Sequence, residues 1–201
     1  MCDKIQLFDE KSTKNFEKYL FSKGISSLLL MMRAGLSVYK LSKKFKKKKI
    51  FVLVGPGNNG GDALAFAFYA YMQEEDIQVY SLSKNRGDSY KINMLLKNLN
   101  LTIISKLPKF SDFNEDYLII DGLLGIGLSR EPKDKLLKAI KWINKVKENG
   151  AKVISIDLPS GLNINNGVAS KSTVNADATI MTLVAKQGCY TGEGMEYSGI
   201  C

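Results

Sequence analysis

The sequence contains no histidine, and this absence limits the chemistry that the protein can perform. Ser-His-Asp and Cys-His catalysis are excluded, and so are metal sites built on imidazole. Acid–base chemistry must therefore use carboxylates, lysine, tyrosine or water. Cysteine is also scarce. The three cysteines, Cys2, Cys189 and Cys201, are far apart and lack a paired metal spacing. We interpret them as reduced thiols of an intracellular protein.

Long hydrophobic segments are missing as well. The apolar run Leu28–Met32 ends at Arg33, whereas a membrane-spanning helix needs about 20 apolar residues. The N-terminus has no apolar stretch behind a basic start, so we do not expect a secretory signal. These features predict a cytoplasmic protein without membrane association.

Arginine supplies only 3 of the 29 basic residues, although the net charge is +9. Arginine has the planar guanidinium that reads guanine and clamps phosphate, whereas lysine is a solvated point charge. The excess of lysine therefore argues against sequence-specific nucleic-acid binding. The densest basic run, KKFKKKK at 43–49, falls at the end of a predicted helix. A solvated helix end is favoured there over a patch for an anionic polymer.

What remains is the composition of an ordinary globular domain, with 201 residues, 45% of them hydrophobic. We expect one domain over residues 1–201. Helical periodicity predicts a first helix over 12–22 and a second from Ser26 or Ser27 to about Phe45. Apolar runs predict strands at 50–55, 77–82, 101–105, 117–121, 153–157 and 178–184, alternating with helices at 62–73, 87–99 and 131–148. This alternation predicts an α/β fold with a mostly parallel sheet covered by helices on both faces.

Ligands of such sheets bind outside the carboxyl ends of the strands, so the loops at those ends are the candidates for a site. The first loop is PGNNGGDALAFAF at 56–68, a glycine-rich turn that leads directly into a helix. Its backbone N–H groups suit a phosphate. It matches neither G-x-G-x-x-G nor the Walker loop. The alternative is a tight turn in which Asp62 caps the helix.

Carboxylates also follow two later strands. Asp121 precedes three glycines in DGLLGIG and could hold a cation or a sugar hydroxyl, or cap a turn. In IDLPSG, Asp157 and Ser160 flank Pro159, which fixes the loop. Three acid-bearing loops that converge at one edge of a sheet predict a site.

These segments resemble the YjeF N-terminal domain family, the NAD(P)HX epimerases. The stretches that carry the resemblance are GISSLLLMMRAG at 24–35, VGPGNNGGDALA at 54–65, DGLLGIGLSRE at 121–131, IDLPSGLNINNG at 156–167 and ADATIMTLVAKQG at 176–188. The resemblance implies a Rossmann-like three-layer sandwich with an N-terminal helical pair. It also implies an isomerase for nucleotide repair that interconverts the R and S forms of hydrated NADH or NADPH. A homodimer and a partner NAD(P)H-hydrate dehydratase are further implications.

The resemblance also implies roles for individual residues. Those that would contact the hydrated nucleotide are Asn58, Asn59, Gly60, Gly61, Asp62, Gly125, Ile126, Gly127, Leu128, Ser129, Arg130, Glu131 and Asp157. Asn59, Asp121 and Ser160 would bind a potassium ion, and such oxygen ligands suit a hard cation. Two positions depart from the family pattern, since Met32 stands where a glutamate is common and Ile126 where a polar or aromatic residue is common.

The expected reaction is acid–base chemistry at carbon six of the hydrated nicotinamide ring. Protonation of the hydroxyl there lets the ring nitrogen expel it, and water can return to either face. Asp157 is the first candidate for the carboxyl that gives and retrieves the proton, and Asp62 is the second. Lys186 is either a solvated strand end or a substrate contact. The competing hypothesis is a non-catalytic scaffold of the same family that serves RNA binding or dimerisation.

Overall fold

Short apolar runs, many of them β-branched, form the strands of the protein. The structure, a computed structural model, describes residues 5–127 and 131–201. The strands are β1 (Leu7–Phe8), β2 (Lys49–Val54), β3 (Asp76–Ser81), β4 (Ile103–Ile104), β5 (Tyr117–Gly122), β6 (Lys152–Ile156), β7 (Ala178–Ile180) and β8 (Ala185–Lys186). Six of them form a parallel sheet in the order β4-β3-β2-β5-β6-β7, and β1 pairs with β8 separately.

The helices lie between these strands and before the sheet. They are α1 (Glu10–Ser22), α2 (Ser27–Ser42), α3 (Asn58–Met72), α4 (Gly87–Asn98), α5 (Asp134–Glu148) and α6 (Gly194–Tyr197). Asp9 caps α1 by accepting a hydrogen bond from the Ser12 N–H, and Ser26 caps α2 by accepting one from the Leu29 N–H. The predicted N-terminal helical pair is therefore confirmed.

Both faces of the sheet are covered by helices. On one face α2, α3 and α4 bury a core that includes Val52, Phe66 and Ile120. On the other face α5 packs with Phe51 and Ile119 in a second core. Because the central strands are buried on both sides, they are almost continuously apolar, as parallel sheets require. The prediction of a three-layer α/β fold with a parallel sheet is confirmed.

Helices α2 and α3 cross at very short range through Gly35. A Cβ atom at that position would lie 2.4 Å from the Phe66 backbone nitrogen. Only glycine permits this approach, so the packing of the helical pair on the sheet depends on it.

The strand order reverses between β2 and β5, which are neighbours in the sheet. Val54 pairs with Gly122 at the carboxyl ends of the two strands. From β2 the chain moves outward to β3 and β4, and from β5 it moves the other way to β6 and β7. A crevice opens where connections diverge in this manner, and ligands of open α/β sheets bind there. The fold therefore directs attention to the loops that follow β2 and β5.

Two predicted boundaries are wrong for local reasons. Helix α3 begins at Asn58, because Gly57 is its N-cap and no side chain caps it. The interpretation of Asp62 as a capping residue is therefore wrong. Strand β7 ends at Ile180, and three residues later Leu183 adopts a φ of 63°. The two-stranded sheet of β1 and β8, in which Phe8 pairs with Lys186, had no sequence signal.

Three further expectations concern surfaces and thiols. In the described part of the chain, no helix has the length and apolar character that would let it cross a membrane. Cys189 is a buried free thiol and Cys201 an exposed one. The basic run is largely exposed, and Lys48 pairs with Asp116 at 3.0 Å.

Candidate active site

A cavity of about 520 Å³ opens at the carboxyl ends of the strands, beneath α1 and α2. Both apolar and charged groups line it, a composition typical of small-molecule sites. The lining residues are Thr13, Glu17, Phe21, Ile25, Ser27, Leu29, Leu30, Met31, Arg33, Ala34, Ser37, Asn58, Asp62, Asp157, Met181, Thr182, Leu183 and Lys186. The cavity is large enough to bury a nucleotide ring.

Asp157 has an unusual backbone conformation at the edge of this cavity. It follows β6 with a φ of 65°, in the left-handed region that non-glycine residues seldom occupy. Its Oδ1 accepts hydrogen bonds from the Thr182 N–H at 2.7 Å and from the Thr182 hydroxyl at 2.8 Å. Strained residues of this kind concentrate at functional sites. The turn therefore aims and fixes one carboxylate beside the cavity.

Lys186 gives that carboxylate its charge partner. Its Nζ lies 2.7 Å from Asp157 Oδ1, and the lysine side chain is only 1% exposed. Nζ also donates to the Thr182 carbonyl oxygen. A lysine is almost never buried to this extent without a partner. Of the two alternatives for Lys186, the solvated strand end is therefore wrong, and the amine is part of the cavity wall.

Two more carboxyl groups face the same space. Burial holds the pKa of Asp62 well above its ordinary value, and the charge of Asp157 raises this pKa further. Burial also raises the pKa of Glu17, again with a contribution from Asp157. Lys186 opposes both shifts but does not cancel them. Carboxyl groups with raised pKa values in a cleft are candidates for proton transfer.

The NNGGD segment forms the first turn of α3. Asn58 is exposed and lines the cavity. Gly60 and Gly61 are buried, and a Cβ on Gly60 would lie 2.1 Å from the Gly55 carbonyl oxygen. The two glycines thus permit close packing beneath the helix start, while the asparagines provide the polar groups.

A second polar cluster centres on Asp121, which is fully buried and does not line the cavity. Its Oδ1 accepts from the Ser160 hydroxyl at 2.6 Å, and its Oδ2 accepts from the Ser160 N–H and from the Ser155 hydroxyl, each at 2.9 Å. Burial raises the pKa of Asp121, while the hydrogen bonds from Ser160 and Ser155 lower it. The loops after β5 and β6 are joined through this one carboxyl group.

Asn59 completes this cluster. Its Nδ2 donates to the Leu124 carbonyl oxygen at 2.7 Å, and the Ser160 hydroxyl lies 3.4 Å from that same oxygen. The buried Oδ1 of Asn59 has no hydrogen-bond partner among the described residues. Among the described residues, no group of three or more His, Cys, Asp and Glu side chains could hold a metal ion. The cluster consists of amide, carboxylate, hydroxyl and carbonyl oxygens, which suits a hard cation.

Not every residue named from the sequence reaches the cavity. The residues that do not line it are Asn59, Gly60, Gly61, Gly125, Ile126, Gly127 and Glu131. Ile126 packs against a small apolar cluster under the loop after β6. Glu131 instead accepts a hydrogen bond from the Lys171 N–H. Leu128, Ser129 and Arg130 lie outside the described residues.

Three functional candidates escaped the sequence analysis or were left undecided. Glu17 lies on a helix that carries no recognisable motif, and its position depends on the pairing of β1 with β8. The apolar run predicts that Thr182 lies in a strand over 178–184, whereas β7 ends at Ile180. The only signal for Lys186 was its position between an apolar strand and Gly188.

The fold and this site define a class of protein, namely a parallel α/β protein with a carboxylate-lined cleft at the reversal of strand order. The family model described as "YjeF-related protein N-terminus" matches residues 27–188. The chain belongs to that family, and the resemblance stated from the sequence is confirmed.

Two relatives show how far the similarity extends. The bifunctional NAD(P)H-hydrate repair enzyme Nnr of Dictyoglomus turgidum is 36% identical, with 97% of this chain and 39% of the relative covered. The NAD(P)H-hydrate epimerase of Oenococcus oeni is 31% identical, with 94% of this chain and 91% of the relative covered. This chain thus spans well under half of the first relative and nearly all of the second. Among solved structures, yeast ynu0 has the same fold, with a TM-score of 0.82, 22% identity, and coverage of 94% of this chain and 85% of that one.

Proposed function

We propose that this protein is an NAD(P)H-hydrate epimerase that interconverts the R and S forms of hydrated NADH or NADPH. The observation that carries the proposal is the group of carboxylates around Lys186 in a cavity at the reversal of strand order. The name and the nearly full coverage of the Oenococcus oeni relative support it.

The electrostatics of the cavity suit the reaction. Loss of the hydroxyl from carbon six leaves a cation shared between that carbon and the ring nitrogen. Glu17, Asp62 and Asp157 provide three acidic groups against the single buried amine of Lys186. Carboxylates arranged before the reaction stabilise positive charge as it develops. The apolar wall, which includes Leu30 and Met181, would hold the ring against them.

The proton donor that the geometry favours is Asp62, because its pKa is raised and it faces the cavity. Asp157 is oriented by Thr182 and Lys186 and would stabilise the cation. We therefore keep both residues as catalytic candidates and assign the proton transfer to Asp62 first. Asn58, at the start of α3, would contact the pyrophosphate with the help of the positive end of the helix dipole.

A potassium ion is part of the proposal. Asn59, Asp121 and Ser160 would hold it. The Asn59 Oδ1, to which no described residue donates a hydrogen bond, supports that assignment. When bound, the ion would supply positive charge near the phosphates of the substrate and bridge three loops. A homodimer and a partner dehydratase are further parts of the proposal. The names of the longer relatives as bifunctional repair enzymes favour a second activity that acts beside this one.

The scaffold alternative is disfavoured by the site itself. RNA binding or dimerisation needs neither an aspartate with a positive φ nor a lysine whose side chain is only 1% exposed. Steep salt dependence of RNA affinity without epimerisation would support the scaffold instead.

The test is a direct assay of interconversion. Purified R epimer is mixed with the protein, and the S epimer is followed by chromatography. We expect conversion well above the rate without protein. Conversion at the rate without protein, with a correctly folded sample, would contradict the proposed function.

A further inference from the structure

One carboxyl group of the cavity, on α1, has no assigned part in the proton transfer. Thr13, Glu17 and Phe21 are spaced by four residues, so they form one stripe of the helix, and all three line the cavity. Glu17 is partly buried there, whereas the neighbouring acidic residue of α1, Glu10, pairs with Lys14 at the surface. The helix thus presents a single carboxylate to the site.

The position of Glu17 is fixed by the same segment that carries the buried amine. Strand β1 pairs with β8 in register, with Phe8 opposite Lys186, and α1 follows β1 directly. The Glu10 N–H donates to Asn165 at 3.0 Å and ties the start of α1 to the loop after β6. Glu17 is therefore anchored to the site through Lys186, although it lies about 170 residues away in the chain.

Glu17 and Asp62 approach the cavity from different elements. Asp62 comes from α3, which starts at the end of β2, and Glu17 comes from α1, which is tied to β8. The Glu17 charge contributes to the raised pKa of Asp62, and the Asp157 charge raises the pKa of both groups. A reaction that inverts one carbon needs proton transfer on both faces of the ring. Two separate carboxyl groups meet that requirement more directly than one.

Resting on the proposed function, we propose that Glu17 is a second catalytic acid–base group, which serves one face of the hydrated ring while Asp62 serves the other. The Asp62 carboxylic acid gives its proton to the hydroxyl at carbon six. The carbon–oxygen bond breaks and water leaves with the bonding pair, while the ring nitrogen shares its lone pair with the carbon. A water on the other face then attacks the carbon and gives a proton to the Glu17 carboxylate. The shared electron pair returns to the ring nitrogen. Conversion of the opposite epimer follows the same steps in reverse order, with Glu17 as the proton donor and Asp62 as the acceptor.

The experiment follows the oxygen isotope at carbon six as well as inversion. Each epimer is prepared with ¹⁸O in its hydroxyl, and loss of label to water is measured beside conversion to the other epimer. In Glu17→Gln, inversion should fall about 100-fold or more. One epimer should still lose its label with retention, because Asp62 remains. Asp62→Asn should give the complementary pattern and spare the other epimer.

The control is Glu10→Gln, which removes a carboxylate from the same helix outside the cavity and should leave inversion and label loss unchanged. Thermal melting checks that each variant is folded, and Glu17→Asp should restore part of the label loss. If Glu17→Gln keeps both rates, or slows label loss from both epimers equally, the inference is wrong. Wild-type protein that neither inverts nor exchanges would instead contradict the proposed function.

Discussion

Lys186 and Asp157 form an ion pair in which 2.7 Å separates Nζ from Oδ1, and the lysine side chain is 1% exposed. A buried charge is costly when its partner is removed. We expect Lys186→Met to lower the free energy of unfolding by about 3 kcal/mol, because Asp157 would lose its counter-ion. Urea denaturation measures the change.

A surface pair provides the control for this prediction. Lys48 pairs with Asp116 at 3.0 Å, but the lysine side chain is 78% exposed. Lys48→Met should therefore cost at most about 1 kcal/mol. The double variant Lys186→Met with Asp157→Asn should recover much of the stability that Lys186→Met loses. Equal losses for the two lysine variants would contradict the structural role of the buried pair.

Asp62 should make stability depend on pH. Its pKa in the folded protein is raised above the ordinary value of 3.8, mainly by burial. The folded state therefore binds this proton more tightly than the unfolded state. The contribution of protonated Asp62 to the free energy of unfolding is fully present below the unfolded pKa, and it is lost as pH rises through the folded pKa. Asp62→Asn cannot titrate, and we expect it to melt at a higher temperature than wild type near neutral pH.

Melting curves from about pH 4 to about pH 8 check this expectation. The advantage of Asp62→Asn should shrink towards the acidic end, where Asp62 is protonated in the folded state and partly protonated in the unfolded state. Glu17 also has a raised pKa and makes the melting temperature fall with rising pH in both wild type and Asp62→Asn. Its effect should therefore cancel when the two melting temperatures are subtracted. An advantage that is constant with pH would show that the charge of Asp62 is not its cause.

The sequence alone predicts the sheet and the three loops at its edge, because strand periodicity and loop composition are local properties. Asn59, Asp121 and Ser160 are brought together as their spacing at strand ends suggests. Their role in binding potassium stays a prediction. The pairing of β1 with β8 was not predicted, since two-residue strands carry almost no pattern. For that reason the position of Glu17 was missed, and Lys186 was not recognised as buried.

The glycines of the NNGGD segment should matter for packing. A Cβ on Gly60 would lie 2.1 Å from the Gly55 carbonyl oxygen, which is backbone and cannot move aside cheaply. We expect Gly60→Ala to destabilise the protein by about 1–3 kcal/mol. Gly57→Ala is the matched control, because nothing lies within 4 Å of a Cβ there, and it should cost under about 1 kcal/mol. Equal unfolding free energies for the two variants would count against this packing.

Potassium should stabilise the folded protein if the cluster at Asn59 binds it. Saturating potassium at about 100 times its dissociation constant raises the free energy of unfolding by about 2.7 kcal/mol. We expect a higher melting temperature in potassium chloride than in tetramethylammonium chloride at equal ionic strength, and little difference for Asn59→Leu. A response to potassium that Asn59→Leu retains in full would place the ion elsewhere.

On the proposed function, the carboxylates of this cavity carry out inversion at carbon six. The most direct measurement is the initial rate at which wild type, Asp62→Asn and Asp157→Asn convert pure R epimer into S epimer, with thermal melting to confirm folding. We expect wild type to convert the epimer and each variant to be slower by about 100-fold or more. Wild-type rates in both folded variants would contradict the account.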